Sequence, residues 1–134
     1  MKSYSTLQHI GLLLLRLVFG AAIIYGHGWG KVQKIFRGEA NQFGDPLGLG
    51  PELSLYLVTS AELLCAAMII IGLFTRLASI PLIIAMSVVV FYVQWKNPFT
   101  DMETSLLYLA GFLMILVFGA GRFSIDGYRK KEWL

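Results

Sequence analysis

Two oppositely charged residues, Arg16 and Glu62, each stand inside a hydrophobic run long enough to cross a membrane. A charged group in hydrocarbon is costly, so it normally faces the interior of a helix bundle and pairs with an opposite charge. Both residues come close to the middle of their runs, which predicts that they lie at one depth and form an ion pair. Such a pair either fixes the register of two helices or lines a polar pocket for a ligand or a proton, and the sequence leaves both interpretations open.

Three further polar residues stand where the apolar runs begin or end. His27 and Lys31 close the first run, and Glu103 opens the last run on the same side. A histidine between carboxylates can give or take a proton near neutral pH. We therefore predict that these three residues form a polar cluster with Glu62. A histidine that is hydrogen-bonded to backbone carbonyls at a helix end fits the sequence equally well.

These side chains must be positioned by helices, because the chain is too apolar for a soluble domain. Of its 134 residues, 57% are hydrophobic and 14% are charged, and the mean hydropathy is +0.69. A soluble domain carries about 25% charged residues. The composition predicts an all-α, four-helix transmembrane bundle that forms a single membrane domain over residues 1–134. Its helices are expected at about 8–27, 53–74, 77–95 and 103–119, with a long outer loop at 28–52.

The long loop and the basic residues predict how the bundle is oriented. Glycine and proline are dense in this loop, and Gly26, Gly28 and Gly30 are expected to end the first helix. Six basic residues lie on the side of the two termini and four lie on the side of the long loop. By the positive-inside rule, both termini are predicted to be cytoplasmic. Any pocket is expected to open toward the long loop.

Several other kinds of site do not fit the sequence. The single cysteine, Cys65, cannot run an intramolecular dithiol–disulfide cycle. His9 and His27 lie about 27 Å apart along one helix, so they cannot ligate the same haem iron. Two histidines and one cysteine also fall short of a structural zinc site. The net charge of +3 is explained by helix-end cations beside anionic lipid headgroups, so a nucleic-acid partner is not expected.

Five short motifs resemble, in their order and spacing, the DoxX family of small four-helix membrane proteins. They are Leu15-Arg16-Leu17, Gly26-His27-Gly28-Trp29-Gly30-Lys31, Glu62, Gly72-Leu73-Phe74-Thr75-Arg76-Leu77 and Gly119-Ala120-Gly121-Arg122-Phe123-Ser124-Ile125-Asp126. The family is similar to the small DoxD-type subunit of thiosulfate:quinone oxidoreductase, and its members are linked to membrane redox and thiol stress. The resemblance implies that Arg16, His27, Lys31, Glu62 and Glu103 are the polar positions of the family.

The resemblance and the inward charges together lead us to expect a quinone-linked redox subunit that crosses the bacterial inner membrane several times. The predicted catalytic residues are Glu62, His27 and Glu103, and the predicted substrate-binding residues are Arg16, Lys31 and Trp29. The sequence leaves the cofactor open, with quinone as the candidate, and a redox partner protein is expected to supply electrons. The bundle is also expected to form homo-oligomers. Two alternatives stay open: a non-enzymatic protein that binds or transports a lipid, quinone or small solute, and a membrane scaffold subunit.

Overall fold

A computed structural model of the chain describes residues 4–38, 48, 50–93 and 95–130, and for residues 27, 61, 93 and 101 it describes the backbone alone. All regular structure in these residues is helical, which confirms the predicted all-α bundle. Helix α1 spans Thr6–Phe36, α2 spans Pro51–Ile71, α3 spans Thr75–Val88 and continues as a π-helical turn at Val89–Val93, α4 spans Phe99–Phe118, and the short α5 spans Ile125–Tyr128.

The helices have the length and composition of membrane spans. Three of them, Thr6–Phe36, Pro51–Ile71 and Thr75–Tyr92, are long and apolar enough to cross a membrane, and α4 carries the shorter apolar stretch Met102–Phe118. With 31 residues, α1 is roughly 46 Å long at a rise of about 1.5 Å per residue. The hydrocarbon core of a bilayer is about 30 Å thick, so α1 extends beyond it.

Helix α1 does not end at residue 27 as predicted, and the predicted loop at 28–52 begins only after residue 36. The chain passes through the π-helical turn Ile24–Gly28 and remains helical to Phe36. A glycine inside a helix costs about 1 kcal/mol relative to alanine, but close packing offsets this cost. A Cβ atom at Gly28 would come within 2.8 Å of the Leu63 side chain. Gly28 therefore lets α1 and α2 approach each other, and it does not end the helix.

The core of the bundle lies where α1, α2, α3 and α4 meet. Fully buried side chains from all four helices pack there, including Ile23, Ile69, Leu82 and Phe112. Lipid tails are as apolar as these side chains, so van der Waals packing, and not the hydrophobic effect, holds such helices together in a membrane. Gly20 contributes to this packing, because a Cβ atom there would lie 2.5 Å from the Ile70 side chain.

The segment after α4 folds back against the end of the bundle and caps α3. The Asp126 carboxylate accepts hydrogen bonds from the backbone N–H groups of Phe74 and Thr75, at 2.9 and 2.8 Å. The N–H of Asp126 in turn donates to the carbonyl oxygen of Gly72 at 2.8 Å. The first N–H groups of a helix have no partner within the helix, so this carboxylate stabilises the start of α3.

Both ends of the described chain lie at this same end of the bundle. The Nδ1 atom of His9, near the start of α1, accepts a hydrogen bond from the backbone N–H of Arg122 at 3.0 Å. The Arg122 guanidinium donates to the Thr6 hydroxyl at 3.1 Å. The two termini therefore share one side of the bundle, and the assignment of that side to the cytoplasm stays a prediction.

We expect Asp126→Asn to lower the free energy of unfolding by about 1–3 kcal/mol, because one of the two backbone N–H groups then faces an amide NH2 group and loses its acceptor. Thermal denaturation in detergent measures the change. Glu103→Gln, which neutralises an exposed carboxylate on α4, is the matched control and should stay within about 0.5 kcal/mol of the wild type. Equal melting temperatures for the two variants would contradict the capping role of Asp126.

Candidate functional site

The buried carboxylate of Glu62 forms an ion pair with Lys31 of α1. The Lys31 Nζ atom donates to both carboxylate oxygens, at 3.1 and 3.0 Å. The Glu62 side chain is 1% exposed and the Lys31 side chain is 17% exposed. The Glu62 carboxylate is therefore shielded from its surroundings, whereas the Lys31 side chain is partly exposed.

The predicted ion pair between Arg16 and Glu62 is wrong. The Arg16 guanidinium donates to the carbonyl oxygens of Ile69 and Ile70, at 3.2 and 3.1 Å, and to the carbonyl oxygen of Phe123. Ile70 follows Glu62 by eight residues, which is about 12 Å along a helix. The prediction failed because it took α1 to end at residue 27, whereas the helix continues to Phe36. In the longer helix, Arg16 lies well before the middle, at the level where α2 ends.

Arg16 donates to backbone carbonyl groups, which need hydrogen-bond donors where a helix ends. The last carbonyl groups of a helix lack partners within it, and the C-terminal end of a helix favours a positive charge. Helix α2 ends in this way at Gly72, whose φ is +77°, and Arg16 donates to the carbonyls just before it. The negative charge of Asp126 also acts on the guanidinium. Arg16 is 1% exposed, and its hydrogen bonds hold α2 to the C-terminal segment; its predicted role in substrate binding stays a prediction.

Tyr108 of α4 lies close to the ion pair, and the sequence analysis did not identify it. Its phenol interacts electrostatically with the Glu62 carboxylate, and its hydroxyl would lie 3.5 Å from a Cβ atom at Gly26. Its ring stacks on Phe112 and meets Phe19 edge to face, with ring centroids 6.2 and 6.1 Å apart. A tyrosine within an apolar run carries no distinctive sequence signal, so only the packing of α4 shows that it borders the pair.

The other predicted site residues do not join this contact in the described structure. Glu103 is exposed on α4, and among the described residues no hydrogen bond or ion pair connects it to Lys31 or Glu62. Trp29 is 55% exposed on α1. The His27 side chain lies outside the described side chains. Of the predicted cluster, the structure brings Lys31 and Glu62 together and leaves Glu103 apart.

The ion pair coincides with two π-helical turns that contact each other. Glu62 lies within the turn Ala61–Cys65 of α2, and Lys31 follows the turn Ile24–Gly28 of α1. π-Helical turns inside α-helices are uncommon and frequently lie at functional sites. The two helices therefore depart from regular α-helical hydrogen bonding where they hold the buried charges.

No group of three or more His, Cys, Asp or Glu residues that could hold a metal ion occurs in the part of the chain that the structure describes. The polar groups of the site are an ammonium, a carboxylate and a nearby phenol. Such groups bind and orient an oxygen-containing ligand and transfer protons. Chemically, the site suits a ligand whose oxygens accept hydrogen bonds and take up protons.

Comparison with known proteins adds one match. The family model described as DoxX matches residues 11–95, which is more than half of the chain. The matched region contains Arg16, Lys31 and Glu62, and it ends before α4 begins. No curated protein and no solved structure matches the chain.

Proposed function

Because the chain belongs to the DoxX family of membrane proteins, as the match over residues 11–95 shows, we propose that it is a quinone-linked redox subunit of the bacterial inner membrane. The observation that carries this proposal is the buried Lys31–Glu62 contact. Ionisable groups inside membrane helices are costly, and they commonly mark substrate or proton pathways. Arg16, a second buried charge among the described helix residues, donates to three backbone carbonyls.

Lys31 is suited to bind the ring of a quinone. Its ammonium has three N–H donors, more than the two hydrogen bonds to Glu62 require. A further N–H is available to a quinone carbonyl oxygen, on which negative charge develops as electrons arrive. The Lys31 side chain is partly exposed. A quinone dissolved in the bilayer would enter from this side.

Glu62 is suited to transfer protons. The reduction of a quinone to a quinol consumes two electrons and two protons, and the protons end on the two ring oxygens. In the proposed mechanism, the Glu62 carboxylate takes a proton and passes it to a ring oxygen, while Lys31 stabilises the carboxylate between transfers. Lys31 and Glu62 exchange protons and do not carry electrons. In this proposal the electrons therefore come from a redox partner protein.

The same contact supports a second candidate function, a membrane scaffold. Both carboxylate oxygens of Glu62 are bonded by Lys31, so the pair is internally satisfied and would hold α1 to α2 without any ligand. Buried ion pairs are retained in some proteins because they specify how elements pair. The scaffold and the quinone site therefore have to be distinguished by ligand binding.

The test is the quinone content of gently purified protein, measured by mass spectrometry. We expect quinone to co-purify with the wild type and to fall about tenfold or more in Lys31→Gln and Glu62→Gln, since a hydrogen bond to a charged group contributes about 1.5–3 kcal/mol. Lys96→Gln, which neutralises an exposed cation outside the site, is the matched control. Folded variants that keep wild-type quinone, or a wild type without quinone, would favour the scaffold.

Proton uptake then separates a redox subunit from a protein that only binds quinone. When both proteins are loaded with an excess of added quinone, which offsets the weaker binding expected in Glu62→Gln, and the quinone is reduced by an added electron donor, a pH indicator should report much slower proton uptake in Glu62→Gln than in the wild type. If both loaded proteins take up protons at the same rate, Glu62 does not transfer protons and its role at this site is limited to binding.

A further inference from the structure

The hydroxyl of Thr59 is buried in α2 and has no hydrogen-bond partner in the part of the chain that the structure describes. Thr59 is 6% exposed, and its Oγ1 atom is enclosed without a donor or acceptor among the described residues. Burying a hydroxyl group without a hydrogen bond is unfavourable. Such a group in a native protein calls for an explanation, such as a functional role or an ordered water molecule.

Thr59 precedes Glu62 by three residues on the same helix. Residues three apart are neighbours on a helix surface, and both side chains are buried, so both face the interior of the bundle. Glu62 in turn holds Lys31. An unpaired hydroxyl, a carboxylate and an ammonium therefore lie close together, whereas the buried residues four before Thr59 and four after Glu62, Leu55 and Ala66, are apolar.

We infer that Thr59 binds an oxygen atom of the ligand that Lys31 and Glu62 hold, an inference that rests on the proposed quinone-binding function. An ammonium can only donate hydrogen bonds, whereas a hydroxyl donates and accepts. Thr59 can therefore donate to a quinone carbonyl and accept from a quinol hydroxyl. The site then recognises both redox forms of the ring and selects an oxygenated ring over an apolar one.

The test compares two ligands of the same chain length, decylubiquinone and decylbenzene, which lacks the ring oxygens. In Thr59→Val the hydroxyl is replaced by a methyl group of similar size. We expect the Kd of this variant for decylubiquinone to rise about fivefold, and its binding of decylbenzene to stay unchanged. Thr59→Ser, which keeps the hydroxyl, should restore tight binding. Thr104→Val, at an exposed threonine of α4, is the matched control.

Stability without ligand provides the second measurement. If the hydroxyl is unpaired until a ligand arrives, ligand-free Thr59→Val should melt at the wild-type temperature or above it, because no hydrogen bond is lost. A lower melting temperature with an unchanged Kd would show that the hydroxyl serves the fold, for example through a buried water molecule, and would overturn the inference.

The remaining outcomes separate this inference from the proposed function. If Thr59→Val binds decylubiquinone as tightly as the wild type while Glu62→Gln binds it weakly, Thr59 is not a ligand contact and the proposed site stands. If the wild type itself binds decylubiquinone no better than decylbenzene, the proposed function fails, and the inference about Thr59 fails with it.

Discussion

Arg16→Leu is expected to lower the free energy of unfolding by about 3–5 kcal/mol, which is the usual cost of removing one partner from a buried charged network. Three backbone carbonyls, those of Ile69, Ile70 and Phe123, would lose their donor. The buried Asp126 carboxylate would also lose the positive charge that acts on it. Natural domains are stable by only about 5–15 kcal/mol, so we expect a large fall in melting temperature and aggregation in detergent.

Two further variants show whether the effect is specific. Arg16→Lys keeps the charge but replaces the planar guanidinium by a single ammonium, which cannot reach carbonyls on α2 and in the C-terminal segment at once. We expect an intermediate loss of stability. Arg122→Gln removes an exposed guanidinium that donates to a side-chain hydroxyl, and it should cost about 1 kcal/mol or less. A stable Arg16→Leu protein that has lost its quinone would instead show that Arg16 binds the ligand.

The second large effect is expected for Lys31→Leu. This variant leaves the Glu62 carboxylate buried at 1% exposure without its partner, at a cost of about 3–5 kcal/mol. Glu62→Leu should cost less, about 1–3 kcal/mol, because the ammonium of Lys31 is already partly exposed and its long side chain can turn toward polar surroundings. Circular dichroism during unfolding in detergent measures the free energy of unfolding of each variant. We predict that Lys31→Leu loses more of it than Glu62→Leu.

The double variant Lys31→Leu with Glu62→Leu tests the pairing directly. It removes both charges at once, so we expect stability close to that of the wild type and a coupling energy about equal to the two single losses together, roughly 4–8 kcal/mol. If the two losses simply add, the side chains do not interact in the folded protein. A stable double variant without quinone would support the proposed site, whereas a stable double variant with full cellular activity would support the scaffold.

Much of the architecture could be predicted from the sequence, because hydropathy is a property of each segment by itself. Apolar runs separated by charged and glycine-rich stretches predicted an all-α membrane bundle, and the structure confirms it. The order of short motifs indicated the DoxX family, which the family match shows. Buried charges were also correctly expected at Arg16 and Glu62, because ionisable residues in apolar helices face inward.

The partners of those charges were decided only by the tertiary structure. The charge that lies opposite Glu62 depends on where α1 ends. Gly28 packs closely against α2, and α1 continues past it through Lys31 to Phe36. The partners of Arg16 are backbone carbonyls, which every residue possesses and no sequence pattern marks. The unpaired state of Thr59 likewise depends on what surrounds it. The sequence determined which residues must be buried, and the packing of the helices determined what each of them meets.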